Sequence, residues 1–282
     1  MTLYKYAGAN SGAMILDGLR LKVTPPNELN DPFELTPCSR NLMSREYVLK
    51  SLTINPEQAR PAYAEACGRY GYTHSFEEFV RDVEFSFPGY YKIFRAKCRE
   101  ALIRHDLELI HEASRHLLVL CLSAINNSIA MWSHYGDHHR GIVLGVNSRA
   151  NCFNFGSEPT EITYSAKRVS LDWTVVPQPD DVKTKVDEIV LTKSKNWKYE
   201  REYRICFPIR DGVIKQSRDG GGFNYLINIW AATIQEVIFG CCISAADEAR
   251  IRGLLALKRF RHVRLLRAAR HAKKFKIDIV AA

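Results

Sequence analysis

Apolar and polar positions alternate in short runs near both ends of the chain and change to a helical spacing between them. Leu3 to Tyr6 (LYKY) and Leu19 to Val23 (LRLKV) alternate and read as strands, the second ending before Pro25-Pro26. Between them Ser11 starts a helix through Leu16 that Asp17-Gly18 closes, and Asn30 to Phe33 makes a turn. From about residue 44 to 115 the apolar spacing is helical, with Pro56, Pro61 and Pro88 placed near helix starts. The run HLLVLCLSA (116–124) then reads as a strand, a short polar helix covers Ser128 to Tyr135, and RGIVLGV (140–146) is a second strand entered sharply at Gly141. These two strands are expected side by side. Further strands are expected at Glu161–Tyr164, Glu202–Phe207, Phe223–Ile229 and Glu236–Phe239, with helices at Asp181–Lys195 and Ala245–Leu257. Strands and helices segregate along the chain, which argues an α+β fold with a mixed or antiparallel β core. The expectation is a single domain over residues 1–282 that carries a helical insertion at 36–115.

Composition narrows the setting. With 46% hydrophobic and 25% charged residues the chain has the make-up of an ordinary globular protein. It contains no apolar run of about 18 residues and its start, MTLYKYAGAN, has neither a basic nor an apolar leader segment, so a cytoplasmic protein is expected. Eight cysteines lie scattered without a CxxC pair, several inside apolar runs, and read as reduced, buried thiols. His134 and His138 are four apart beside His139, but the further Cys or His ligands of a closed zinc site are missing. Neither GxGxxG nor GxxxxGK[ST] occurs, which removes support for a Rossmann or P-loop nucleotide site. The formal charge of +9 is concentrated late, at Lys258, Arg259, Arg261, Arg264, Arg267, Arg270, Lys273, Lys274 and Lys276. This basic C-terminal stripe is either a solvated face or a surface for the phosphates of nucleic acid.

Chemistry concentrates in WKYEREYRICFP (197–208). On a strand, Glu200 and Glu202 share one face. Trp197, Tyr199, Tyr203 and Arg204 surround them, a set suited to stabilising a cationic transition state beside a stacked ring. A plain edge strand with Tyr203, Ile205 and Phe207 inward would also produce this pattern. Three other segments combine aromatic and polar residues: Tyr4-Lys5-Tyr6, Asn30-Asp31-Pro32-Phe33-Glu34, and Asn127 followed by Met131-Trp132-Ser133-His134-Tyr135-Gly136. Taken singly they are an edge strand, an Asx turn and an amphipathic helix. Their occurrence in one chain argues for a shared site.

The order LYKY, NDPFE, MWSHYG with a following HRG, then W-x-Y-E-x-E-Y-R resembles the bacterial domain of unknown function family numbered 2971. A second resemblance is to the ADP-ribosyltransferase fold of bacterial DNA-targeting toxins and RNA 2′-phosphotransferases. It is carried by the strand at Tyr4 to Tyr6, the segment Ala13-Met14-Ile15-Leu16-Asp17-Gly18-Leu19, the strand Arg20 to Thr24, and Glu200 or Glu202. The E-x-E spacing is similar to that of arginine-modifying transferases, whereas the Ser-Thr-Ser strand of those enzymes has no counterpart.

This second resemblance implies NAD as a substrate. Breaking its nicotinamide–ribose bond builds oxocarbenium character that a carboxylate beside the ribose stabilises. Glu202 is the first choice for that role and Glu200 the second, the other accepting the proton of the attacking group. Tyr4, Tyr6 and Trp132 are candidates to stack on NAD, Lys5 to contact the pyrophosphate, Asn30 and Asp31 to bind ribose, and His134 and Tyr135 to complete the pocket. Transfer to nucleic acid or protein, or hydrolysis of NAD, would follow, as in a toxin or a phage-defence effector. Two other classes stay open: a nuclease holding magnesium on Asp31, Glu200 and Glu202, and a noncatalytic nucleic-acid-binding module.

Overall fold

The computed structural model describes residues 1–40, 57, 60–85, 111, 113–172, 179–210 and 212–282. In chain order the elements are β1 (Thr2–Ala7), α1 (Ala9–Gly18), β2 (Arg20–Val23), β3 (Cys38–Arg40), α2 (Arg60–Tyr70), α3 (Phe76–Phe85), β4 (Leu117–Ser123), α4 (Ile129–His134) and β5 (Ile142–Asn147). They continue with β6 (Thr160–Glu161), β7 (Thr163–Ser165), β8 (Ser170–Asp172), α5 (Pro179–Val190), β9 (Thr192–Ser194), a 3-10 turn (Lys195–Glu200) and β10 (Glu202–Pro208). Last come β11 (Val213–Ser217), β12 (Phe223–Asn228), β13 (Ile234–Phe239), α6 (Ala245–Leu255), β14 (Arg264–Arg270) and β15 (Ile277–Ala281). The fold is α+β.

The chain divides into two compact units. The first comprises Met1–Leu35, Ile110–Lys167 and Val190–Ala282 and holds an eight-stranded sheet in the order β15-β14-β13-β5-β1-β4-β10-β6. Its pairs are antiparallel except β13 with β14, which α6 connects as a crossover of the kind a parallel pair needs. Both faces of the sheet are covered, and this explains the nearly unbroken apolar run of β4. On one side Leu118, Leu120 and Leu122 join Ile142, Leu144, Leu16 of α1 and Ile251 of α6. On the other, Val143 and Ile238 pack with Tyr6 and with Met131 and Trp132 of α4. A second sheet, β11-β12-β2, contributes Leu21, Val23 and Ile227 to the first of these cores.

The second unit comprises Thr36–Leu109 and Arg168–Ile189. Its described parts include α2, α3 and a parallel β3–β8 pair. Ser75 caps α3 reciprocally with Glu78: the Glu78 amide donates to Ser75 Oγ at 3.2 Å and the Ser75 amide to Glu78 Oε2 at 2.9 Å. The helical insertion expected at 36–115 thus contains a strand at its start, and its counterpart strand comes from residues 170–172. The parts of that expectation at 41–56 and 86–110 lie outside the described residues.

Several local expectations are corrected. β4 and β5 are not neighbours, because β1 lies between them and pairs with both. α1 closes at Gly18 as expected, with left-handed Leu19 (φ 49°) as its C-cap, but it starts at Ala9 after Gly8 and not at Ser11. The helix expected to reach Lys195 stops at Val190, and the basic stripe at 264–270 is a strand whose arginines recur every third residue. Gly141 before β5 is needed for close approach: a Cβ there would lie 2.1 Å from the Ala7 carbonyl oxygen. Among the described residues no helix is long and apolar enough to cross a membrane.

Candidate functional site

A pocket of about 210 Å³ opens in the first unit where β1, the NDPFE turn, α4 and the segment from β9 to β10 meet. Tyr4, Lys5 and Tyr6, Asn30 and Glu34, Met131 and Tyr135, and Lys193, Glu200 and Glu202 line it together with Ser123 of β4. Segments far apart in sequence are adjacent here because β1 is flanked by β4 and β5 and β10 pairs with β4. Tyr4 stands opposite Ser123, and Ser123 is in turn opposite Glu202.

The two glutamates reach the pocket differently from the way an even strand would bring them. Glu200 is the last residue of the 3-10 turn and Glu202 the first of β10, and Arg201 between them is left-handed (φ 45°, ψ 54°). The expectation that both sit on one strand face is therefore wrong. The reversal at Arg201 still turns both carboxylates onto one ammonium: Lys193 Nζ donates to Glu200 Oε2 at 2.6 Å and to Glu202 Oε2 at 2.9 Å. Ser123 Oγ anchors the bend by donating to the Glu200 carbonyl at 2.6 Å, and the Glu202 amide donates to Tyr164 Oη at 2.8 Å.

The cluster extends inward. Arg204 Nε donates to Glu202 Oε1 at 2.8 Å, its Nη1 donates to the Val190 carbonyl, and its Nη2 pairs with Glu34, which also lies 3.4 Å from Lys193. Lys193, Glu34, Glu200, Glu202 and Arg204 are all buried. Three carboxylates thus face two fixed cations, with the Lys5 ammonium beside them in the pocket lining. Burial opposes the charge on Lys193, but Glu202 and Glu200 outweigh it and hold the ammonium above its ordinary pKa. For Glu202, burial raises the carboxyl above the usual carboxylate value while Lys193 pulls it back. Outward, Tyr135 Oη donates to Glu200 Oε1 at 2.7 Å and accepts from Asn30 Nδ2 at 2.9 Å. Burial and the Glu200 charge push the Tyr135 phenol well above its ordinary value, so it stays a neutral donor. Burial and Glu236 push Tyr4 up to about 12.

The other sequence candidates fall outside the pocket lining. Trp132 is fully buried, donates Nε1 to the Asn126 carbonyl at 2.9 Å and meets the Tyr6 ring edge-on at 5.5 Å, so it is a core residue and cannot stack on a ligand. Asp31 is buried and caps its own turn: Oδ1 accepts from the Phe33 amide at 2.9 Å, and Oδ2 accepts from Trp197 Nε1 at 2.7 Å. His134 is exposed, with Nδ1 3.1 Å from Tyr199 Oη, whereas His139 meets Ser133 Oγ through Nε2 at 3.2 Å. Of the residues that do line the pocket, Tyr6 uses its hydroxyl on the Ile125 carbonyl and Lys5 donates to the Cys121 carbonyl at 3.1 Å.

Sequence reasoning missed Lys193 as a site residue altogether. It sits in LTKSK as one lysine among several, and no spacing marks it as the group that Glu200 and Glu202 share. Glu34 and Arg204 stood inside the segments already singled out, but only the three-dimensional structure couples them.

Residues 131–205 match the model of the family described as Protein of unknown function (DUF2971). This is the family that the sequence words resemble, and the match contains α4 from Met131 onward, Tyr135 and the whole run from Lys193 through Arg204, while Tyr4 to Tyr6, Asn30 and Glu34 lie outside it. No curated protein and no solved structure matches the chain.

Proposed function

We propose that this pocket binds NAD and breaks its nicotinamide–ribose bond, passing the ADP-ribosyl group to nucleic acid, protein or water. The observation that carries the reading is the gathering of Tyr4, Lys5, Asn30 and Tyr135 around the Glu200–Glu202 pair in one pocket. At about 210 Å³ the pocket is smaller than the roughly 300–1,000 Å³ that encloses a whole drug-sized ligand. It suits the nicotinamide riboside end of the dinucleotide, with the adenosine held outside.

In this reading the carboxylates at the base face a ring that is cationic in NAD. As the C1′–N bond breaks, its electron pair passes to the pyridinium nitrogen, nicotinamide leaves neutral, and the positive charge moves to the ribose. Glu202, fixed from two sides by Lys193 and Arg204, stabilises that charge. Glu200, linked outward through Tyr135 to Asn30, is placed to take the proton of the acceptor's attacking group. Stacking falls to Tyr4 and Tyr135 rather than Trp132. Lys5 spends one ammonium proton on Cys121 and has two for the diphosphate. The resemblance to the ADP-ribosyltransferase fold supports the same chemistry, and a toxin or phage-defence role follows from that analogy alone.

The metal-dependent nuclease is the weaker alternative. Its carboxylates must be open to a cation, whereas Glu200 and Glu202 are engaged by Lys193 and Arg204, and among the described residues no three His, Cys, Asp or Glu side chains are grouped for a metal ion. The deciding experiment incubates the purified full chain with NAD, with and without nucleic acid, and follows nicotinamide. The parent is expected to release it and Glu202→Gln to release it about 100- to 1,000-fold more slowly. A parent that leaves NAD intact under both conditions would end this reading.

A further inference from the structure

The turn that joins β14 to β15 is an ordered support for an aromatic ring in water. Phe275 at its tip is fully exposed. The backbone beneath it is fixed: the His271 amide donates to the Lys276 carbonyl at 3.0 Å, and His271 Nδ1 accepts from the amides of Lys273 at 3.0 Å and Lys274 at 3.1 Å. A pocket of about 520 Å³ adjoins the turn, lined by Phe275, Lys273, Lys274, Arg270, His139 and Cys242 among others.

Within β14 and the turn the ion pairs leave the unpaired charge at this one place, while Lys258, Arg259 and Arg261 earlier in the stripe have no ion pair among the described residues either. Arg264 is paired with Glu236 at 2.6 Å, Arg267 with Glu248 at 2.5 Å and Lys276 with Asp278 at 2.7 Å, while Arg259 donates to the carbonyls of Leu16 and Asp17. Arg270, Lys273 and Lys274 have no ion pair among the described residues. The uncompensated charge of β14 and the turn therefore surrounds Phe275.

We propose that this turn and its pocket form a binding site for single-stranded nucleic acid, with a base stacked on Phe275 and the flanking phosphates on Lys273, Lys274 and Arg270. Each part of the site selects for that ligand. An aromatic face stacks any base, and the cations follow the backbone on either side. A duplex keeps its bases inside, where Phe275 cannot reach a face. A membrane-surface element needs a broad apolar face beside its charges, and here the tip offers one ring next to a concavity that a flat bilayer cannot fill. The volume lies within the range that encloses a drug-sized ligand such as a nucleoside. This inference does not depend on the chemistry assigned to the glutamate pocket.

The test measures fluorescence anisotropy of labelled oligo-dT and oligo-U with the full chain, without NAD. Binding is expected to both strands or tighter to one, which then names the sugar. Phe275→Ala should weaken it about 5- to 100-fold and Phe275→Trp should retain it. Lys273→Ala with Lys274→Ala should lower the slope of log affinity against log salt by about 1.4, at roughly 0.7 per phosphate contact. Because Phe275 is fully exposed, its variants should melt with the parent, and nicotinamide release from NAD alone should be unchanged. Conversely, Glu202→Gln should bind the oligonucleotides as the parent does, so failure here is separable from failure of the NAD reading. The proposal is overturned if the parent binds neither strand, if Phe275→Ala binds as tightly as the parent, if a duplex of equal length binds as well, or if phosphatidylserine vesicles are preferred.

Discussion

Replacing Lys193 by methionine removes one ammonium and leaves three buried carboxylates around an apolar chain. In the parent Nζ lies 2.6 Å from Glu200, 2.9 Å from Glu202 and 3.4 Å from Glu34, and none of the four side chains is more than 4% exposed. Solvent screening is therefore slight, and removing the shared partner of a buried ion cluster costs about 3–5 kcal/mol. For a cooperative unit of roughly 150–250 residues that lowers Tm by about 6–20 °C, at ~2–4 °C per kcal/mol. The pH dependence is the sharper signature. Burial already raises the Glu202 carboxyl above its ordinary 4.5 against the pull of Lys193, and without the lysine it rises further. A carboxyl whose folded pKa exceeds the unfolded one takes up protons on folding. Its stabilisation is full below the unfolded pKa and is lost as pH rises through the folded pKa. The Tm gap between Lys193→Met and the parent should thus be small near pH 5 and widen towards pH 8, as followed by calorimetry at several pH values. A variant within about 1 kcal/mol of the parent at pH 8, or a gap that does not change with pH, would refute the buried cluster as the source of this stability.

Three further outcomes separate the roles of neighbouring residues. Glu202→Gln should abolish nicotinamide release by about 100- to 1,000-fold, while Glu200→Gln retains NAD hydrolysis and loses transfer; the opposite order would exchange the two roles. Trp132→Ala should cost about 3–5 kcal/mol in a denaturant melt. Trp132→Phe should keep nicotinamide release near the parent rate, and a selective rise in KM for NAD would contradict the placement of the indole in the core. Arg201→Gly should leave stability equal or raise it by up to about 1.5 kcal/mol, because the left-handed conformation costs a non-glycine residue ~1–2 kcal/mol and glycine's extra unfolded freedom returns about 0.5–1. A loss of more than about 1 kcal/mol would count against the bend there.

The strands of the large sheet were legible wherever burial imposes a pattern. LYKY, HLLVLCLSA, RGIVLGV and the strand from Glu202 each carry apolar positions that the two cores require. β14 was not legible, because Arg264, Arg267 and Arg270 imitate a charged helix face and the strand is recognisable only through its parallel pairing with β13. Neighbour order failed for a related reason: β1 enters between β4 and β5 from the other end of the chain, and no local pattern records that. Within the site, residue types announced the carboxylates and tyrosines. They did not tell Trp132, whose ring closes a core, from Tyr135, whose hydroxyl reaches Glu200. On one short helix the difference is only which side faces Tyr6.

In the proposed reaction, Lys193 would also resolve the difficulty that a buried, ion-paired glutamate presents for catalysis. Exclusion from water strengthens whatever charge a carboxylate carries but favours its protonated form, so burial alone would remove the charge the chemistry needs. A lysine placed between Glu200 and Glu202 opposes that protonation, and Arg204 fixes the far oxygen of Glu202, so the carboxylate needs no solvent reorganisation when positive charge develops nearby. Glu34 adds a third carboxylate on the same Lys193 and Arg204. The three acids therefore act as one unit on two shared cations, so removing the charge of one alters the field of the other two. On this argument Glu34→Gln, although its side chain is the most deeply buried of the three acids, should slow nicotinamide release more than its loss of stability explains. Equal rates for Glu34→Gln and the parent, measured well below the Tm of both, would mean that the Glu34 charge plays no part.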